Sequence, residues 1–588
     1  MTETVFDFTT RYGRLLLSAP LVPFLWACCV GCSGKRIFLV LSPLAGLPAL
    51  LAALWVPPGV SVELPAALLQ TRLGLDAVGR PFLLFSSILW LVSIWDASAS
   101  MDGKVRQRSF FFYALLSMAG NHGLVVAQDL FGFYPAFALM SFASYGLIVH
   151  YRSEEAMRAG RVTIILVVMG EILVFTALVL IHRAAGPSLA EAASGSLTAG
   201  WTLPLILAGF GIKAGAIPLH VWLPLAHPAA PTPASAVLSG AMIKAGLLGW
   251  LRFLPLGFTA LPQWGGVFIG LGLFAAFAAV ALGLTQRNPK TALAYSSISQ
   301  MGLMTVGVGL ALMLPEHSRQ AVAAVVVGAC HHGLSKGALF LGAGLAGSMP
   351  RRGLRRAGLL VGLSLPALSL CGLPLTGGFL AKGLLKDVAV LAPEPWHTLL
   401  DVTLPWTAWG TALLMLHFLT LASKASGPAG IGFRRLTAWI SAAAAAFLVV
   451  WMLPEGAPWR VHAMEPAQWW AALWPPAAAV LTAASFAILR QVTGRELKVS
   501  IPPGDILEGL RFAVKPSKFL LKKIRRAETV LDVGLSVCIT DALHQKCKPL
   551  TGGLEGIRLR RFEYTLHRFT VAGTWVVFVL VTFLLLLH

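Results

Sequence analysis

Lysine is poorly suited to a lipid interior, yet five lysines lie within or beside long apolar stretches of this sequence: Lys213, Lys244, Lys336, Lys382 and Lys386. An ionisable side chain at the centre of a membrane helix costs at least about 2.5–3.5 kcal/mol on insertion scales, and such groups usually face a bundle interior on an ion path. The competing reading is a stem that carries its ammonium out to the interface. Lys386 fits that reading, because Asp387 follows it near the end of a span. The other four fit the ion path. Burial disfavours the charged form of lysine and a nearby carboxylate favours it, so changing the carboxylate's influence loads or unloads a proton. The candidate carboxylate is Glu171, mid-span in VVMGEILVF; a neutral, hydrogen-bonded acid is the alternative. Asp129 in AQDLFGF sits near a span boundary and is an accessory candidate.

Histidines add a second element. His331 and His332 precede Lys336 in CHHGLSKGALF. His332 and Lys336 are four residues apart and share one helix face, and histidine titrates near neutrality on either ring nitrogen. A histidine pair with no carboxylate at ligand spacing makes a poor zinc site, so no metal is expected. His220 and His227 flank a Trp-Leu-Pro segment and are expected to cap a cavity mouth or loop.

These residues need a membrane bundle around them. Of 588 residues, 57% are hydrophobic and only 12% charged, and the mean hydropathy is +0.76. That excludes a soluble globule and a disordered chain. Sixteen stretches approach the roughly 20 apolar residues needed to cross a bilayer. They lie near 14–31, 37–57, 81–97, 110–127, 128–150, 162–182, 201–219, 232–256, 262–285, 291–314, 320–347, 357–391, 404–423, 436–453, 468–489 and 569–587. The stretch at 357–391 is too long for one plain helix, and Pro374 with Gly377 and Gly378 predicts a break there. With loops alternating from an outside N-terminus, one side carries 17 Lys and Arg and the other 8, before residues 490–568 add 16 to the richer side. Basic loops stay cytoplasmic, so both termini are expected outside and the long polar stretch inside. The net charge of +21 therefore calls for no nucleic acid. The start, MTETVFDFTTRYGR, lacks the short apolar core and cleavage site of a removable signal peptide.

Two segments combine helix breakers with lysine: Pro228, Pro231 and Pro233 ahead of Lys244, and Pro374, Gly377 and Gly378 ahead of Lys382. Interrupted helices near the midplane are how transporters expose polar backbone to ions, and a repeated pair suggests two inverted halves. Seven scattered cysteines, with Cys29-x-x-Cys32 as a lone pair, and the lack of nucleotide-binding motifs predict no redox cofactor in this chain.

The run GIKAGAIPLHVWLPLAHPAAPTPASAVLSGAMIKAG resembles the core signature of the antiporter-like proton-conducting subunits of respiratory complex I, Mrp antiporters and membrane-bound hydrogenases. NPKTALAYSSISQMG, HHGLSKGALFLGAG and GLPLTGGFLAKGLL continue the resemblance over residues 75–390, with wording closest to the large antiporter-like subunit of formate-hydrogenlyase-type hydrogenase complexes. The resemblance implies an all-α polytopic fold: N-terminal flanking helices at 1–109, inverted five-helix repeats at 110–256 and 262–391, and flanking helices at 404–489. A cytoplasmic amphipathic lateral segment at 490–568 and an anchoring helix at 569–588 would follow. It implies a relay of Glu171, Lys213, Lys244, His332, Lys336 and Lys382, with Lys213 central to the first half-channel, Lys244 near the connection and Lys382 near the exit. It also implies membrane-subunit partners, a peripheral Fe–S, flavin or nickel–iron arm, and a bacterial or archaeal-type inner membrane with its lipids. One position departs: Ala138 in FYPAFALMSFASYG stands where the family has a glutamate that pairs with the central lysine. Either Glu171 alone partners Lys213, or the first half-channel does not pump in the standard way; a second reading is a non-pumping scaffold or anchor. A third reading is the ion-coupled subunit of an inorganic-carbon transporter.

Overall fold

Inside lipid a backbone satisfies its polar groups only as helix or closed barrel. The computed structural model follows the first course. It describes residues 4–7, 10–32, 35–57, 59–64, 71–189, 200–428, 430–463, 465–493 and 501–506. Among these, thirteen helices are long and apolar enough to cross a membrane, and Ser42–Trp55 and Thr202–Ala214 are shorter apolar helices. The expected span at 569–587, and all of the lateral segment except 490–493 and 501–506, lie outside the described residues.

The main helices run α1 (Arg11–Cys32), α2 (Leu47–Trp55), α3 (Gly79–Ser100), α4 (Gln107–Val126), α5 (Leu130–Ile148), α6 (Glu154–Ala185), α7 (Thr202–Ala214) and α8 (Trp222–Ala229). Next come α9 (Thr232–Val237) and α10 (Lys244–Phe253), joined by a π turn at Leu238–Met242. The chain continues through α11 (Pro262–Leu284), α12 (Pro289–Met313), α13 (Ser318–Ala346), α14 (Leu354–Cys371), α15 (Gly377–Ala389), α16 (Trp396–Lys424), α17 (Phe433–Met452) and α18 (Pro466–Thr493). A small sheet closes one end, with Thr4–Asp7 parallel to Val60–Glu63 and the latter antiparallel to Arg72–Gly74.

The breaks appear where glycine permits a left-handed residue. The α7 helix stops at Gly215 (φ +72°) and α8 resumes after residues 216–221, while α14 stops at Gly372 (φ +87°) and α15 resumes at Gly377. Counting from α4 and from α11, the interrupted crossing is the fourth in each half. The second break falls where the sequence predicts it. The first does not. Pro228 ends α8, Pro231 caps α9 and Pro233 lies in its first turn, so this cluster punctuates two helices instead of interrupting one. Proline is tolerated at a helix start because its missing N–H would have had no partner there. Lys244 consequently sits on the helix after the broken one.

Burial is uneven. Every residue of α12 from Thr291 to Met313 is buried, and so is the hydropathic window of α9–α10. By contrast, α18 buries only Pro475, Pro476 and Ala479 among its 28 residues and leaves the rest half-buried or exposed. An apolar exterior around a polar-bearing centre is the arrangement expected of an ion path through lipid.

Candidate ion-relay site

The first group forms where α6 meets α7. Gly170 and Gly209 bring the two backbones close: a Cβ on Gly170 would lie 3.3 Å from Gly209 O, and one on Gly209 2.8 Å from Val174 Cγ2. That approach sets Glu171 against Lys213, both buried. With Ser141 of α5 they line a cavity of about 10 Å³, near the lower limit for one water. Lys213 occupies the last turn of α7, where the carbonyl end of the helix favours a cation. Trp222 of α8 donates its indole N–H to Ile212 O at 2.8 Å, pinning the two half-helices across the break. Glu171 Oε2 is buried without a hydrogen-bond partner. Ala138 lies on α5, one turn before Ser141, and offers no second carboxylate.

The second group is central. Gly240 in the π turn crosses α13 at Gly333: a Cβ on Gly240 would lie 2.7 Å from Gly333 O. In the π turn the Ile243 N–H bonds to Leu238 O at 3.2 Å instead of to Ser239 O, the α-helical acceptor. Ser239 O accepts from Lys244 Nζ at 2.6 Å. The same Nζ lies 2.6 Å from His332 Nδ1. Ser239 Oγ meets Ser297 Oγ at 2.7 Å, and Ser297 Oγ donates to Leu293 O at 3.0 Å. Lys336 Nζ donates to that same Leu293 carbonyl at 3.0 Å. His332, Lys244, Ser239, Ser297 and Lys336 thus form one buried hydrogen-bonded string across α10, α12 and α13, and no carboxylate takes part in these bonds. His332 and Lys336 share the predicted face, but the histidine pairs with Lys244. Two adjoining bases this deeply buried cannot both hold a charge cheaply, so a proton on one is withdrawn from the other.

The third group surrounds the second break. Lys382 reaches back across it and donates to Cys371 O, at the end of α14, at 2.7 Å. His331 Nε2 meets Ser369 Oγ at 2.8 Å. With Gln300 of α12, His331 and Lys382 line a cavity of about 40 Å³, enough for a few waters. Gly378 makes room for this: a Cβ there would lie 1.8 Å from Ser369 O and 2.9 Å from His331 Cε1.

The remaining candidates separate. Asp129 caps α5, accepting from Gly132 N at 2.7 Å and Arg72 N at 2.5 Å, as expected for an N-cap. His227 is buried and stacked on Phe340 with ring centroids 4.6 Å apart, both its nitrogens unpartnered. His220 Nε2 lies 3.0 Å from Asp505 Oδ2. Lys386 is exposed, as the interfacial reading expects. Sequence reasoning passed over Lys290, whose Nζ reaches Ala230 O at 2.7 Å, because it stands among loop cations. It also passed over Ser297 and Asp505, whose partners are distant in sequence. Among the described residues, no group of three or more His, Cys, Asp or Glu could hold a metal ion.

A largely helical membrane bundle with two broken crossings and buried bases along its centre has the architecture that ion transporters use. Residues 127–404 match the family described as NADH:quinone oxidoreductase/Mrp antiporter, transmembrane. Hydrogenase-4 component B of Escherichia coli K12 is 32% identical over 295 residues, which is 48% of this chain and 44% of that protein. Putative antiporter subunit mnhA2 of Staphylococcus haemolyticus is 31% identical over 387 residues, 60% of this chain and 48% of that one. The chain thus spans less than half the length of these two relatives. In fold it is similar to the Mrp complex of Dietzia sp. DQ12-45-1b (TM-score 0.68, 22% identity, 90% of this chain and 63% of that one). It is also similar to the archaeal membrane-bound sulfane sulfur reductase (TM-score 0.62, 18% identity, 79% and 99%).

Proposed function

We propose that this chain is a proton-translocating, antiporter-like membrane subunit of a larger redox-driven complex of the hydrogenase or complex I-like kind. The observation that carries this reading is the buried string from His332 through Lys244, Ser239 and Ser297 to Lys336. Bases are costly in a membrane, and these are linked by two serine hydroxyls, which both donate and accept, and by the Ser239 and Leu293 carbonyls, which accept. The Glu171–Lys213 pair and the His331–Lys382 cavity flank it as stations in the two halves. A peripheral redox arm would supply the energy, felt here as electrostatic shifts along the lysines. Asp129, used as a helix cap, is left out of the relay. The basic loops face the cytoplasm of a bacterial or archaeal-type inner membrane.

The test is Lys336→Met in the assembled complex, with redox turnover and proton uptake measured in the same vesicles. The expected outcome is normal assembly with proton uptake lost. Wild-type uptake would sink the relay. Ala138 favours a second reading, a scaffold that conducts nothing, and unchanged uptake in both Lys336→Met and Lys213→Met would establish it.

A further inference from the structure

The segment after α18 places a carboxylate against the first broken helix. Gln286 Nε2 donates to Ile501 O at 3.0 Å, and Gly504 (φ +94°) turns the chain beside Leu225 of α8. Asp505 then enters the bundle with its side chain 5% exposed. Its Oδ2 accepts from Tyr295 Oη at 2.9 Å and lies 3.0 Å from Nε2 of His220, itself 1% exposed and within the break between α7 and α8.

The histidine's other nitrogen decides what this contact does. A carboxylate on Nε2 holds the proton there, fixes the tautomer and makes Nδ1 the basic lone pair. His220 Nδ1 is buried with no hydrogen-bond partner. A purely structural latch has no use for that nitrogen, and an unsatisfied buried acceptor costs about 1–3 kcal/mol. A proton-carrying dyad uses it directly.

We propose that His220 and Asp505, steadied by the Tyr295 hydroxyl, form a further proton-carrying station, whose carboxylate comes from the segment leading into the C-terminal region. A hydronium ion gives a proton to His220 Nδ1: one of its O–H bonds breaks, an N–H bond forms, and neutral water is left. Nε2–H stays on the carboxylate, and the dyad passes from net charge −1 to zero. Release breaks the Nδ1–H bond and forms a bond between that proton and the next acceptor, which restores the starting state. The station puts negative charge at the first break, in the half of the protein where Ala138 leaves a carboxylate out. It rests on the proton-translocating reading above.

The experiment uses the full chain in its complex and measures proton uptake per redox turnover in vesicles for Asp505→Asn, Asp505→Glu and Lys336→Met. Asparagine keeps a carbonyl acceptor for Tyr295 and His220 but cannot balance an imidazolium. Asp505→Asn is expected to lower uptake by on the order of a hundredfold, with the complex still assembled. Asp505→Glu is expected to retain most of it. Wild-type uptake in Asp505→Asn, beside lost uptake in Lys336→Met, would reduce Asp505 to a latch and overturn the station. Normal uptake in Lys336→Met with lost uptake in Asp505→Asn would instead remove the central relay and keep the dyad. If Asp505→Asn does not assemble, His220→Gln gives the same decision, because it removes the imidazole and leaves the carboxylate bonded to Tyr295.

Discussion

Glu171 and Lys213 test the scheme at the scale of single residues. Each is buried, they face the same small cavity, and Glu171 Oε2 has no hydrogen-bond partner. Removing one member of such a pair leaves the other uncompensated, which typically costs about 3–5 kcal/mol, whereas replacing both with neutral groups is often harmless. Lys213→Met is therefore expected to lower the thermal midpoint in detergent and to abolish proton uptake. The double variant Glu171→Gln/Lys213→Met is expected to recover the midpoint but not the uptake. Recovery of both would mean that the pair serves stability alone. The comparison matters because Ala138 leaves Glu171 as the acid facing Lys213 in that cavity. These two residues were legible in the sequence because charge in an apolar span has few innocent explanations.

Among the elements, the π turn between α9 and α10 sets the geometry of the central string. It releases Ser239 O to Lys244 and lets Gly240 cross α13 at Gly333. Gly240→Ala sets two effects against each other. Helix propensity favours alanine by about 0.8–1.0 kcal/mol. The new Cβ would stand 2.1 Å from Leu89 Cδ2 and 2.7 Å from Gly333 O, and overpacking of this kind costs about 1–3 kcal/mol. Leu89 can shift, but the Gly333 backbone cannot without moving α13, so the steric effect wins. The expected result is a lower thermal midpoint and reduced uptake, since a displaced α9–α10 separates Lys244 from His332. A midpoint equal to or above wild type would refute the crossing. Elements of this kind were the least legible part of the chain. Proline marks both a broken helix and a fresh start, so Pro228, Pro231 and Pro233 drew the first break away from Gly215. A π turn has no residue signature. The Asp505–His220 pair joins positions 285 residues apart, and nothing local in either segment announces it.

Across the whole molecule, the charge bias in the sequence has a counterpart in which loops share an end. Arg36 pairs with Asp102 at 3.0 Å, Arg106 reaches His150 O at 3.4 Å, Arg351 reaches Lys424 O at 3.0 Å, and Arg435 reaches Ser348 Oγ at 3.0 Å. These contacts gather the basic loops at one face. At the other, Arg252 donates to Leu124 O at 2.8 Å and Ala127 O at 3.1 Å, and Leu261 N bonds to Leu312 O at 2.8 Å. The grouping places on one face the loops that carry most of the lysine and arginine, and the proposed orientation puts that face in the cytoplasm. Arg352 and Glu316 are exposed, Arg352 in a basic loop and Glu316 between α12 and α13 at the opposite end. With the seven native cysteines replaced, Arg352→Cys is expected to react with a membrane-impermeant maleimide only in inverted vesicles. Glu316→Cys is expected to react only in right-side-out vesicles. The reverse pattern would turn the protein over in the membrane, and labelling of both positions from one side would break the alternation itself. The result also bears on the His220–Asp505 station. Its docking residue Gln286 lies between α11 and α12, and the partly buried Lys290 lies in the first turn of α12, on the basic face. If that face is cytoplasmic, the dyad loads from the cytoplasm. If it is external, the same residues become the discharging end, and proton movement through the chain runs the other way.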